Sequence, residues 1–174
     1  MKRLMLVILI VITVLLPACH YSENGDILEP VAFYYPRSSA HFVYGAEDGV
    51  LAAEMREASG HIEDLTYLIS MYLRGPQDKT LRSPFPAGCR LEEVRSGGNT
   101  LCIVLSAEFT ALENTELTLA CAALAKTCLP LSNTQRVRID SVSDEKTITI
   151  TLTEDSLLLA DYSAFEIVPT EESD

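Results

Sequence analysis

Cysteines, histidines and paired carboxylates are the side chains of this sequence with chemistry to offer, and their spacing decides what they can do. Beyond Cys19 there are four cysteines, Cys89, Cys102, Cys121 and Cys128, an even number that permits two disulfides in an exported protein. Cys121 and Cys128 fall seven residues apart on one expected helix, about 10.5 Å at 1.5 Å per residue, beyond the roughly 7 Å that a bridge spans. With Gly97-Gly98 as a hairpin turn, Cys102 comes opposite Glu93 and not Cys89. Buried free thiols and a helix-to-strand bridge such as Cys121 to Cys102 both stay open. Zinc would need a close cysteine pair or a histidine at ligand spacing, and neither occurs, so no metal is expected. His41 in a strand and His61 at a helix start read as surface or capping residues. Glu92-Glu93, Asp144-Glu145 and Glu171-Glu172 could suggest a glycosidase or a calcium site. Neighbours on a strand point to opposite faces, however, and the other pairs lie in a turn and the tail, so they read as solvated charge. The chain has no G-x-S-x-G, G-x-G-x-x-G or Walker motif. No catalytic residue and no cofactor are expected.

Cys19 has the clearest chemical setting. Lys2 and Arg3 precede an apolar run from Leu4 to Leu16, broken only by Thr13 and followed by Pro17, Ala18 and Cys19. Thirteen helical residues rise about 20 Å against a hydrocarbon core of about 30 Å, so the run reads as a cleaved signal rather than a permanent span. Leu16, Ala18 and Cys19 fit a lipoprotein signal, in which the cysteine sulfur takes a diacylglyceryl group before cleavage at its N-terminal side. Stable anchoring takes two acyl chains, and a diacylglyceryl group supplies both. The sequence therefore divides into a signal at 1–18, an acidic linker at 19–30 beginning with lipidated Cys19, a domain at 31–152 and a C-terminal extension with an acidic tail at 153–174.

Positioning elements follow from pattern. Val31 to Tyr35 is β-branched and aromatic and stops at Pro36, the mark of a strand; His41 to Tyr44 is a second, short candidate. Val50 to Ala58 is ambiguous between helix and strand. His61 to Leu73 reads as a helix, with Ile62, Leu65, Ile69 and Tyr72 on one stripe and Gly75-Pro76 as cap and breaker. Arg90–Arg95 and Thr100–Ser106 read as a hairpin, with the second strand central because both its faces are apolar. A second helix spans about Thr115 to Cys128, closed by Pro130, and Arg136–Val142 and Thr147–Leu152 form a last hairpin. The expected fold is α+β: a single compact domain with a mostly antiparallel or mixed sheet and two main helices packed on one face.

Charge limits the partners. The chain has 174 residues with 13 Lys and Arg against 25 Asp and Glu, a net charge of −12. Loss of Lys2 and Arg3 with the signal leaves 11 basic residues against 25 acidic ones, a net −14. Such a surface repels the phosphate backbone, so no nucleic acid is expected as partner. Tyr34, Tyr35, Phe42 and Tyr44 are the densest aromatic cluster and read as packing or as a recognition surface.

Several segments in order resemble one known module: the helix ending Tyr72-Leu73-Arg74-Gly75-Pro76, the loop Leu81-Arg82-Ser83-Pro84-Phe85-Pro86-Ala87-Gly88, the strand running into Ser106-Ala107-Glu108-Phe109, the helix bearing Thr127, and Val137-Arg138-Ile139. Together they resemble the GerMN domain of spore germination and sporulation proteins of Gram-positive bacteria. The resemblance implies a non-catalytic envelope protein, often attached to a lipoprotein signal. Its expected partners are the membrane, through the anchor, and an envelope protein or peptidoglycan, on the extracytoplasmic face of the cell membrane. The alternatives from the same residues are a ligand-binding lipoprotein serving a transporter or receptor, and a peptidoglycan hydrolase.

Overall fold

The computed structural model describes residues 30–38 and 49–160. The expected strand at His41–Tyr44, the signal, Cys19, and the tail from residue 161 lie outside the described residues.

β1 (Pro30–Pro36) pairs antiparallel with β2 (Leu51–Glu57) in a sheet of two strands. Alternation along β1 buries Val31, Phe33 and Tyr35. Opposite them stand Arg56, Glu54 and Ala52. The ambiguous stretch is thus a strand, and its helix-like composition has a physical cause: its inward face carries a charged pair instead of aliphatic side chains.

α1 (Leu65–Leu73) starts four residues later than expected. The Asp64 carboxylate accepts a 2.9 Å hydrogen bond from the Tyr67 N–H, which makes Asp64 the N-cap, while His61–Glu63 form a preceding turn closed by Asp64 N–H to His61 O. Ile62 consequently leaves the stripe and is exposed, and Leu68, Ile69 and Tyr72 are the buried residues of the helix. Gly75, with φ +87°, reverses the chain after the Arg74 cap as the Gly-Pro pair predicts.

A sheet of four strands holds β3 (Leu91–Gly97), β4 (Thr100–Leu105), β5 (Arg136–Val142) and β6 (Thr147–Thr153) in that order. The β3–β4 and β5–β6 pairs are antiparallel and the central β4–β5 pair is parallel, because the intervening helix carries the chain back across the sheet. β4 is central as expected, but only one of its faces is fully buried: Leu101, Ile103 and Leu105 lie in the core while Cys102 and Val104 are half-buried. The turn is centred on Gly98-Asn99, with Gly98 at φ +58°, and Gly97 pairs with Thr100. This displaces the expected register by two residues, so Cys102 faces Arg95 rather than Glu93. A bulge between Leu91 and Glu93 then shifts the start of β3.

After a 3₁₀ turn at Ala107–Ala111, α2 (Asn114–Ser132) packs on the sheet and also meets β1. Its middle, Ala120-Cys121-Ala122-Ala123-Leu124-Ala125, is buried without a break. A helix apolar on all sides is one enclosed on all sides, and small side chains let both sheets approach it. α2 does not end at Pro130; it runs to Ser132 and stops at Asn133, which takes the left-handed conformation at φ +50°. So near the C-terminus the proline removes one helical hydrogen bond without ending the helix. A second 3₁₀ segment, Glu154–Ala160, follows β6.

Candidate functional site

A solvent-open groove of about 840 Å³ lies where β1, the end of α2, the start of β5 and the Glu154–Ala160 segment meet. Tyr34 forms part of its rim. Alternation along β1 turns this residue away from Phe33 and Tyr35, and its backbone is held at both ends: the N–H donates to Thr127 Oγ1 at 3.0 Å and the carbonyl accepts from the Tyr72 hydroxyl at 2.6 Å. The Lys126 ammonium stands 4.9 Å from the Tyr34 ring centroid, in cation–π contact. Leu129, Pro130, Thr134, Gln135 and Arg136 also line the groove. Arg136 donates through Nε to Thr100 Oγ1 at 3.2 Å, and the Gln135 N–H donates to Asn99 Oδ1 at 3.1 Å. Thr153, Glu154, Asp155 and Leu157 complete the lining.

Pro130 adds a backbone feature. Having no N–H, it leaves the Lys126 carbonyl without its usual helical donor at a point where both residues line the groove. The groove thus combines an aromatic side chain, two cations, two carboxylates and apolar side chains. A smaller depression of about 310 Å³ lies over the Arg82–Pro86 loop beside Leu112 and Leu119.

The residues singled out in the sequence are scattered. Cys89, Cys121 and Cys128 are buried, Cys102 is half-buried on the outer face of the sheet, and all four are free thiols. Burial pushes the Cys89 thiol up to about 11 and the Cys121 and Cys128 thiols up to about 12, which makes them inert. A thiol reagent at pH 8 is therefore expected to modify Cys102 first in the folded protein. The other three should react only after denaturation. Mass spectrometry of the alkylated peptides checks this, and equal rates at all four would contradict the packing.

His61 is exposed, its ring stacked on Tyr67 at 4.1 Å. Glu92 and Glu93 are solvated on β3, where Glu93 pairs with Arg95. Asp144 and Glu145 occupy the last turn, beside Lys146, whose ammonium donates to Thr110 O and Leu112 O. Of the aromatic cluster, Tyr35 is core and Tyr34 lines the groove, while His41, Phe42 and Tyr44 lie outside the described residues. Among the described residues no group of three or more His, Cys, Asp and Glu side chains is placed to hold a metal ion, and no helix is long and apolar enough to cross a membrane. Sequence reasoning missed Lys126, Pro130 and Arg136 as neighbours in one site. They come from elements far apart in the chain, and Pro130 carried only the signal of a helix end.

Fold and groove define a small α+β domain whose long helix is shared between two sheets. A family model described as sporulation and spore germination, that of the Germane domain, matches residues 32–148. The chain belongs to this family, as the helix-Gly-Pro and Pro-rich-loop resemblance implied. Among solved structures it is similar to a protein from Clostridium perfringens described in its crystal structure as a lipoprotein, with 17% identity and a TM-score of 0.46 over 80% of this chain and 95% of that one. No curated protein matches it significantly.

Proposed function

We propose that this protein is a non-catalytic binding or scaffold protein of the cell envelope, held by a lipid on Cys19 at the extracytoplasmic face of the membrane, with a role in sporulation, germination or peptidoglycan-associated assembly. The observation that carries it is the use to which the buried polar side chains are put. Arg56 donates to the Met71 and Gly75 carbonyls, Ser106 Oγ accepts from the Arg90 N–H, and the Ser141 hydroxyl donates to Ser106 O. Thr127 accepts from Tyr34 and donates to Ala123 O, and Thr110 donates to Ala107 O. Each of these groups is committed to holding an element in place. The open groove is what the surface offers to a partner. It also supports a second reading, a ligand-binding lipoprotein serving a transporter or receptor.

The test is membrane fractionation with intact-mass measurement in a Gram-positive host, comparing wild type with Cys19→Ala. Wild type is expected in the membrane fraction with the added mass of a diacylglyceryl group, and the variant is expected to be released or retained unprocessed. Wild type found in the medium without lipid would overturn the anchored reading. Release of soluble wall fragments from purified peptidoglycan by the wild-type protein would overturn the non-catalytic one.

A further inference from the structure

β6 is an outer strand of the four-stranded sheet, and nothing in its sequence defends its free edge. Thr147-Ile148-Thr149-Ile150-Thr151-Leu152-Thr153 has no charged residue and no proline, and its register with β5 is unbroken over all seven residues. β3, at the other edge, carries Glu92, Glu93 and Arg95 and a bulge between Leu91 and Glu93, devices that discourage strand addition. We infer that β6 pairs antiparallel with β6 of a second copy of this chain, joining two sheets of four strands into one of eight. The inference goes beyond the envelope reading and does not depend on it.

The backbone of β6 is in the right phase for this. The Ser143 N–H donates to Lys146 O at 2.9 Å, and from that turn the alternation of an antiparallel pair gives β5 the backbone groups of Ile148, Ile150 and Leu152. Those of Thr147, Thr149, Thr151 and Thr153 face away. Thr153 agrees with this phase, because its N–H donates to Ser156 Oγ at 3.2 Å and not to β5. Among the described residues no strand pairs with the side that Thr149 and Thr151 present. Their N–H and C=O groups are therefore a template for another strand.

A second copy fits this template because the strand is complementary to itself. With Ile150 opposite Ile150 of the second copy all seven residues overlap, and Thr149 then meets Thr151, Ile148 meets Leu152 and Thr147 meets Thr153. Every aliphatic side chain faces an aliphatic one and every threonine a threonine, as a two-fold axis through Ile150 requires. Ile150 and Leu152 are only half-buried within one copy, and this register brings Ile150 and Ile148 of the other against them. Charge singles out the same strand. Copies with a net charge of −12 repel one another, so an uncharged edge is where they can meet. The residues flanking the strand, Lys146 before it and Glu154 after it, are opposite in sign, and the antiparallel register sets Lys146 of each copy beside Glu154 of the other. Thr153 and Glu154 line the groove, so pairing brings the β5–β6 turn of the second copy to its border.

The experiment expresses the full chain in a Gram-positive host with Cys102→Ser, which removes the half-buried thiol, adds Ile150→Cys, and oxidises the cells with diamide. Positions opposite each other in a pair without mutual hydrogen bonds lie about 4.5 Å apart, within disulfide reach, so a product with the mass of two copies is expected. Leu152→Cys in the same background is the register control. Its two copies would stand four residues apart along the strands, about 13 Å, and no such product should form. Photoreactive p-benzoylphenylalanine at exposed Thr149 reads the pairing without a new thiol, and it should join β6 of one copy to β6 of another even where Ile150→Cys fails to fold. Thr149→Lys with Thr151→Lys sets two like-charged pairs across the axis and should lower the disulfide yield at position 150 about tenfold. Co-expression with a chain bearing Thr149→Glu and Thr151→Glu should restore it, which a lysine variant that had merely unfolded would not allow. Equal yields from Ile150→Cys and Leu152→Cys, a Thr149 photoproduct within one chain or with a different protein, or a yield indifferent to the lysines would each overturn the inference.

Discussion

Replacing Arg56 with alanine is expected to lower the unfolding free energy by about 3–5 kcal/mol, the range seen when one partner of a buried ion pair is removed. Arg56 is only 8% exposed. Its guanidinium pairs with Glu54, donates through Nη1 to Met71 O at 3.3 Å and through Nη2 to Gly75 O at 2.5 Å, and lies 5.4 and 5.6 Å from the ring centroids of Phe33 and Tyr35. It therefore ties β2 to the end of α1, and the carboxylate it neutralises completes the tie by accepting 2.8 Å hydrogen bonds from the Gln77 and Asp78 N–H groups. Alanine would remove the side-chain donor to the Gly75 carbonyl, leave Met71 O with only the Arg74 N–H, and leave Glu54 without its cation. Lysine should not rescue the fold, because only the planar fork serves the carboxylate and both carbonyls while lying over two rings. Urea unfolding checks this. An Arg56→Ala variant within about 1 kcal/mol of wild type would refute it.

The same network sets an acid limit. Burial raises the Glu54 pKa, but hydrogen bonds from the Asp78 N–H, Arg56 and the Gln77 N–H together outweigh it and hold the carboxyl below its ordinary value of 4.5. A carboxyl with a lowered folded pKa stabilises the fold above its unfolded value. That contribution is lost as pH falls below 4.5 and through the folded pKa. Glu54→Gln should flatten this part of the acid profile.

How much of this was legible beforehand differs between elements. The β5–β6 hairpin was readable because Ile148 and Ile150 alternate with threonines, and α1 because its apolar stripe ends at Gly75-Pro76. β2 was not, because its inward face is Glu54 and Arg56, and hydrophobic periodicity cannot register a strand whose buried side chains are an ion pair. The start of α1 was misplaced because Ile62 fits the stripe by spacing, whereas the cap is set by a single hydrogen bond from the Tyr67 N–H to Asp64. The β3–β4 register slipped because two adjacent glycines can each head a turn, and only the pairing of Gly97 with Thr100 decides between them. The groove was least legible. Tyr34 stood out as an aromatic, but Lys126 and Arg136 become its neighbours only once α2 continues through Pro130 and β5 returns parallel to β4.

Tyr72, the residue that opens the Tyr-Leu-Arg-Gly-Pro motif, is where the second large effect is expected. Its ring is fully buried, 5.6 Å from that of Phe33, 4.7 Å from Tyr35 and 5.3 Å from Phe85 in an edge-on contact. It thus joins the first sheet, α1 and the Pro-rich loop. Tyr72→Ala should cost about 3–5 kcal/mol, as for other large aromatics deleted from a core. Tyr72→Phe keeps the packing and removes only the hydroxyl that donates to Tyr34 O at 2.6 Å, and a buried acceptor left without a donor costs about 1–3 kcal/mol. The Tyr72 carbonyl still accepts from the Tyr35 hydroxyl in both variants, so the loss belongs to the side chain. Burial raises the pKa of both Tyr72 and Tyr35 above the ordinary value of 10.0. The folded state keeps these hydroxyls neutral where the unfolded chain ionises them, so their contribution is full below pH 10 and declines as pH rises above it. Tyr72→Phe should therefore show a shallower alkaline decline than wild type, on top of its lower stability at neutral pH. The lost bond also fixes the Tyr34 backbone at the groove rim, so a phenylalanine variant with wild-type stability would show that Tyr34 is held by Thr127 alone.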